Sequence, residues 1–385
     1  MIKKITYLLG AGASANTIPI VSQMNARIAK IQTLLKGFST GMNPQNSPQE
    51  LHINHSILNS WQLDLKWLLD EVGLYFSLDT LARKYYLTAN FRNLERLKWC
   101  IVLYFTIEQL LYLHSDKMDE FEKKIIDNRY DSFFATIGQI RPDKSVELNT
   151  NIKILSWNYD VQIELSLKRF FNELSLINIK DAFHIHPNKN SVDAMEKQIF
   201  DSNKFGVVKL NGNAIWTRNI DENDISIFDS SLNDERSYTK KVKDFNYREG
   251  IAYLVNEYSL WKSDTWSDNF IKYFNFAWEN KNKDHYSTYK GHDNIIREAE
   301  RIASETEILV VIGYSFPIFN REIDNRLFKS MNHLEKVYIQ DIEPEKIKAT
   351  IENAFNIRSK GIGDKNIQLN SNINQFVIPY ELNQD

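Results

Sequence analysis

Five short apolar runs, each ending in small or polar residues, constrain the fold of this chain more than any other feature. They are Ile5–Leu9 before Gly-Ala-Gly, and the runs inside "NIKILSWNYD", "FGVVKLNGN", "EILVVIGYSFP" and "KVYIQD". A run of this kind suits a strand buried on both faces of a parallel sheet, with function-bearing loops at its carboxyl end. Helical patterns lie between several of them, as in "DNIIREAERIA" at 293–303. The alternation predicts an open α/β sheet with its four polar turns on one edge.

Elsewhere the pattern changes. A helix is expected over about 20–35, followed by the loop-like "KGFSTGMNPQNSPQE" at 36–50. Over 57–140, "WQLDLKWLLDEVGLYF" and "LERLKWCIVLYFTIEQLLYL" carry apolar residues at helical spacing. This predicts residues 1–35 and 146–385 as the sheet domain and 36–145 as a linker with a helical insertion. Residues 215–290 are rich in Trp, Tyr, Phe, Asn and Lys and show no clear period. Their charges are of both signs, and with 47 Lys+Arg against 50 Asp+Glu overall, direct nucleic acid binding is not expected.

A single cysteine, Cys100, excludes an intrachain disulfide and a zinc cluster of Cys-x-x-Cys type, and fits a reducing compartment. The longest apolar run, 99–107, is well short of the roughly 18 residues of a membrane span. The amino-terminal stretch does not read as an export signal. A soluble, cytoplasmic protein without a metal is expected.

The first turn, Gly10, Ala11, Gly12, Ala13 and Ser14, follows a strand and precedes a helix, an arrangement in which backbone N–H groups can receive a pyrophosphate. A tight turn without ligand accounts for it equally, since Ala15 stands where the third glycine of a dinucleotide fingerprint would be. "SWNYD" puts Asn158 and Asp160 two residues apart at a strand end, and "KLNGN" puts Asn211 beside a glycine. "GYSFP" adds Gly313, Tyr314 and Ser315, a small-residue turn with a hydroxyl suited to phosphate or ribose. Asp160 also suits a cap for the helix after it, and Ser315 a turn hydroxyl.

Taken in this order, the Gly-Ala-Gly-Ala-Ser turn, Asn-x-Asp, Lys-Leu-x-Gly and Gly-x-Ser resemble the sirtuin fold. More closely, "NYD", "GYSFPIFNREID" at 313–324 and "SLDTLARK" at 77–84 are similar to the sirtuin-like domains of bacterial antiphage defence systems. The resemblance spans residues 5 to about 345. It implies a Rossmann-like domain taking NAD+ as substrate, with Gly10 to Ser14 and Gly313 to Ser315 near the phosphates. It places Asn158 and Asp160 at the nicotinamide ribose and Asp341 by the adenosine half. It implies cleavage of the nicotinamide–ribose bond, depleting NAD+ during infection, or a non-hydrolytic subunit that binds NAD or ADP-ribose.

Two departures qualify the resemblance. One cysteine cannot build the four-cysteine zinc module of sirtuin deacetylases, and Asn211 stands where many relatives carry a catalytic histidine. An amide is no general base at neutral pH. "FHIHPN" offers His184 and His186, which alternation would put on one face of an extended segment, so His186 is a candidate for the missing imidazole; surface or packing roles are the alternative. A constitutive NAD+ hydrolase would kill its host, which predicts control by assembly: a homo-oligomer, working with a HerA-type ATPase of the kind paired with related proteins.

Overall fold

The computed structural model describes residues 3–19, 21–40, 54–75, 77–113, 126–142, 146–171, 174, 176–187, 201, 203–214, 217–220, 223–226, 255, 274–281 and 292–383. The chain divides into two compact units. One comprises Met1–Asn16, Ile126–Asn213 and Tyr273–Asp385, the other Thr17–Ile125 and Ala214–Lys272.

The first unit is α/β, with a Rossmann-like parallel sheet. All five apolar runs form strands: β1 (Ile5–Leu9), β4 (Ile152–Ser156), β6 (Gly206–Lys209), β9 (Ile308–Ile312) and β10 (Lys336–Gln340). Two short strands, β5 (Ile185–His186) and β11 (Ile367–Asn370), complete a seven-stranded sheet in the order β11-β10-β9-β1-β4-β6-β5. Every pairing is parallel. The carboxyl ends of all the strands therefore lie on one edge, as the alternation predicted. A separate antiparallel pair, β2 (Gly138–Ile140) and β3 (Val146–Leu148), lies just before β4.

One face of the sheet packs Ile5, Tyr7, Leu9, Ile152, Ile154, Val310 and Ile312 against Tyr130, Phe133, Phe134 and Ile137 of α5 (Asn128–Ile137). Ile163 and Leu167 of α6 (Gln162–Phe170) and Ile179 of α7 (Leu176–Ala182) join the same core. The opposite face meets α8 (His292–Glu305), where Thr6 Oγ1 lies 2.7 Å from Thr306 Oγ1 just past that helix. Two further helices, α9 (Arg321–Ser330) and α10 (Pro344–Phe355), follow β9 and β10.

The second unit contains α1 (Val21–Thr40), α2 (His55–Val72), α3 (Leu78–Leu87) and α4 (Phe91–Leu113). Its core includes the α2 stripe Ile57, Leu58, Trp61, Leu65, Leu68 and Val72, at the spacing that predicted a helix. Ser77 opens "SLDTLARK" as an N-cap, its hydroxyl accepting the Thr80 N–H at 3.2 Å. Burial pushes the Cys100 thiol in α4 up, out of the reactive range. An antiparallel hairpin, β7 (Thr217–Ile220) with β8 (Asn223–Ser226), belongs here too.

The boundaries differ from those read in the sequence. Helix α1 continues to Thr40, beyond the expected end near residue 35, and groups with the second unit. It packs mainly on α2, and a buried ion pair ties it to α4, Arg27 Nε and Nη2 donating to Glu108 Oε1 at 2.9 and 2.7 Å. Conversely 126–145 groups with the sheet, and α5 packs on β1 and β4. Residues 41–50 of the expected loop, and most of 215–290, lie outside the described residues. No described helix is long and apolar enough to cross a membrane.

Candidate functional site

The chain leaves β1 toward β4 on one side, while β9, hydrogen-bonded to β1 on the other, leads on to β10. The β1/β9 boundary is thus the point where strand order reverses, the usual place for a ligand crevice in an open α/β sheet. The two glycine turns meet there. Gly12 N–H donates to Gly313 O at 3.0 Å, and Gly10 N–H to Ile312 O at 3.0 Å. A Cβ on Gly10 would stand 2.5 Å from Gly313 O, one on Gly12 2.7 Å from Gly313 Cα, and one on Gly313, whose φ is +57°, 2.5 Å from Gly12 Cα. The small residues therefore make room first for each other.

Ala13 N–H donates to Gly10 O and Ala15 N–H to Gly12 O, which closes Ala11–Ser14 into a turn of 3₁₀ helix. The N–H groups of Gly10, Gly12, Ala13 and Ala15 are thereby committed to protein carbonyls, so an open cradle for pyrophosphate along the whole turn is not what this backbone offers. Arg129 Nη2 donates to Gly12 O and Ala13 O at 3.2 and 3.1 Å, and Asp127 holds that guanidinium.

Ser14 turns inward and joins this turn to the end of β4. Its Oγ accepts from Asn158 Nδ2 at 3.2 Å and lies 3.1 Å from the Tyr130 hydroxyl. The hydroxyl also helps to lower the pKa of the nearby Asp160 carboxyl. Since an amide nitrogen only donates, this contact fixes the amide and leaves Asn158 Oδ1 as its acceptor. The Asn158 N–H donates to Ser156 Oγ at 3.2 Å, locking the backbone as well. Ser14, Asn158 and Asp160 are all buried.

Asp160 makes the capping contact read for it, its Oδ1 accepting the Gln162 N–H at 3.0 Å at the start of α6. Burial raises its pKa, while Lys209, the Gln162 N–H and Ser14 draw it back. Beneath it, buried Lys209 donates to Glu164 Oε1 and Oε2 at 2.9 and 3.1 Å, to Asn213 Oδ1 at 2.5 Å and to the Asp160 carbonyl. On the neighbouring β6 turn, Asn211 Nδ2 donates to Trp157 O at 3.4 Å, and its buried Oδ1 has no hydrogen-bond partner among the described residues.

His186 and His184 do not share an extended face. His184 has φ +49°, a turn that leads into β5, and only His186 lies in the strand. His186 pairs with Val208 of β6, so it stands two strand spacings, roughly 10 Å, from β4. Desolvation lowers its pKa to about 4.

Of the other expected residues, Tyr314 is buried and its hydroxyl donates to Asp324 Oδ2 at 2.8 Å, whereas Ser315 is exposed on the edge. Asp341 Oδ1 accepts the Glu343 N–H at 3.0 Å and so shapes the entry to α10. Tyr130, Arg129 and Asp324 were not singled out from the sequence; only Asp324, at the end of "GYSFPIFNREID", carried a signal that could have found it. Among the described residues no cluster of three His, Cys, Asp or Glu side chains could hold a metal ion.

In comparison with protein-family models and with curated proteins, the chain matches none.

Proposed function

We propose that this chain is an NAD+ hydrolase that cleaves the nicotinamide–ribose bond, acting as an antiphage effector. The observation that supports it most is the Ser14–Asn158 contact: a buried amide at the carboxyl end of β4, oriented by the glycine-turn serine, beside the reversal point of the sheet. Nicotinamide leaves NAD+ as a neutral group from a cationic ring, taking the bonding pair of the C1′–N bond. The step needs a held substrate and a stabilised oxocarbenium-like ribose more than a strong acid. Asn158 Oδ1 would accept from a ribose hydroxyl or the attacking water. Asp160, two residues on from Asn158, would be the carboxylate for the cation and for the proton that water sheds on adding to C1′. Asn211 would orient without transferring a proton.

Control would come from a homo-oligomer assembled with a HerA-type ATPase. The test is nicotinamide release from NAD+ by the chain alone and with such a partner, together with light scattering of both. Release that falls about 10²-fold in Asn158→Ala is the expected result. If the assembled protein releases no nicotinamide, the hydrolase reading is wrong.

A second reading, a subunit that binds NAD or ADP-ribose without turnover, draws on Asn211 in place of an imidazole and on the distance of His186 from β4. Saturable binding of NAD+ without release would select it.

A further inference from the structure

The stretch "GYSFPIFNREID" closes on itself. Asn320 Nδ2 donates to the Tyr314 hydroxyl at 3.1 Å, and that hydroxyl donates to Asp324 Oδ2 at 2.8 Å. The Tyr314 ring stacks on Trp157, with centroids 6.0 Å apart and planes 19° from parallel. The indole N–H of Trp157 acts on the same carboxyl without reaching full hydrogen-bond geometry. One side chain of α9 thus meets both the turn after β9 and the residue immediately before Asn158. The turn it grips is strained at the bulky Phe316, φ +54°, while Gly313 takes its φ of +57° freely. Phe316 is held by Phe328 and Phe355, at ring distances of 5.9 and 5.2 Å.

We propose that Asp324 is a positioning residue for the candidate site, clamping the turn after β9 to the turn after β4 and so fixing where Asn158 is held. It touches no reacting atom and acts through Tyr314 and Trp157.

The chemistry of the clamp follows from its burial. Asp324 is fully enclosed, and desolvation pushes its carboxyl up to about 8, against the pull of Tyr314, Trp157 and Arg321. At neutral pH it is an acid, not an anion. The charged groups of the packed elements are engaged with one another. Glu300 of α8 pairs with Arg326 of α9, and Arg301 of α8 with Glu298 and Glu305. Beside α10, Arg358 pairs with Glu352 and Lys348 with Asp364, and Glu279 accepts the Phe276 N–H. Arg321 is the cation that acts on Asp324 itself. Ionisation above neutrality would place an anion between the indole and the phenol and pull on both turns.

The proposal rests on the hydrolase reading of the site, so the first measurement does not need turnover. The emission of Trp157, taken as the difference between the intact chain and Trp157→Phe, is followed from about pH 6 to 9.5. A titration near pH 8 that vanishes in Asp324→Asn is expected. A flat response in the unaltered chain, or one that persists in Asp324→Asn, overturns the clamp.

The second measurement is nicotinamide release by the assembled protein. Asp324→Ala should lower kcat by about 10-fold or more with little change in KM, as expected for a misplaced polar group. Asp324→Asn, the neutral isostere, should restore most of that loss at pH 7 and remove the alkaline fall. Equal losses in Asp324→Asn and Asp324→Ala overturn positioning by the acid form. If Asp324→Ala does not fold, the Asn variant and its pH profile still decide. Absence of release from the unaltered protein refutes the hydrolase reading alone, and the fluorescence titration then judges the clamp.

Discussion

The two halves of the sheet's carboxyl edge are built in opposite ways. At β1/β9 the turns interlock through backbone: Gly10, Gly12 and Gly313 give up side chains so that peptide groups can touch. At β4/β6 the turns are held by side chains: Ser14 on Asn158, Asn211 on the Trp157 carbonyl, and Lys209 on Glu164, Asn213 and Asp160. A backbone lock has no titratable atom and tolerates no added carbon. A side-chain network can be edited one group at a time, and it keeps polar atoms, such as Asn211 Oδ1, that no other described residue binds. The difference teaches that glycines at a crevice do not by themselves mark a ligand: here one half supplies backbone rigidity and the other the polar side chains.

The largest expected effect tests the backbone lock. Gly313→Ala adds a Cβ 2.5 Å from Gly12 Cα at a positive φ, and should cost about 3–5 kcal/mol of stability, from backbone strain and overpacking together. Urea denaturation reads it; a loss under about 1 kcal/mol would mean that the turns are not interlocked. Next comes Asn158→Ala, expected to lower nicotinamide release by about 10²-fold, on the order of 2–3 kcal/mol of barrier, with the fold retained. Asn211→Ala should cost less than that, and the reverse ranking in single-turnover kinetics would move the centre of the site to β6.

Ser14→Ala leaves the Tyr130 hydroxyl and the Asn158 amide each short of one partner, and should cost about 1–3 kcal/mol in stability. A neutral result in denaturation would show that the two groups re-pair without it.

The smallest effect is a pH slope. With its pKa lowered to about 4 from the usual 6.5, His186 is neutral in the folded chain while the unfolded chain takes up a proton. Stability from this group is present above about pH 6.5 and is lost as pH falls toward 4. His186→Gln should flatten that acid limb in melting curves between those values, leaving the behaviour above neutrality alone. An unchanged acid limb would place His186 in contact with solvent, not in the enclosed position seen here.

Much of the sheet was legible because its strands are continuous apolar runs, and only burial on both faces makes such runs worth keeping. β5 and β11 were not, because two and four residues at the sheet edges carry too little pattern. The allegiance of α1 was not legible either: amphipathic spacing says that a helix has a buried side, not which neighbour covers it, and Arg27–Glu108 joins residues far apart in sequence. At the site, Asn158, Asp160, Asn211 and the glycine turns announced themselves as polar or small residues after apolar runs. Tyr130 and Arg129 did not, because each acts across the fold on atoms that only the topology brings close, whereas Asp324 closes the stretch at 313–324 and was not singled out. Gly10 and Gly12 were legible as small but not as spoken for, since their neighbour Gly313 is supplied by a strand some three hundred residues later.

One feature bears on when the edge becomes competent. The guanidinium of Arg129 that grips the Gly12 and Ala13 carbonyls also donates to Ile373 O at 3.2 Å and lies 5.2 Å from the Phe376 ring centroid. Nearby, Gln340 binds the carbonyls of Asn372 and Gln375, and the Tyr7 hydroxyl donates to Val377 O at 3.0 Å. The first turn of the chain is thus finished by residues that a ribosome delivers after every strand of the sheet. During synthesis the first turn therefore lacks these contacts until residues 373–377 have been made.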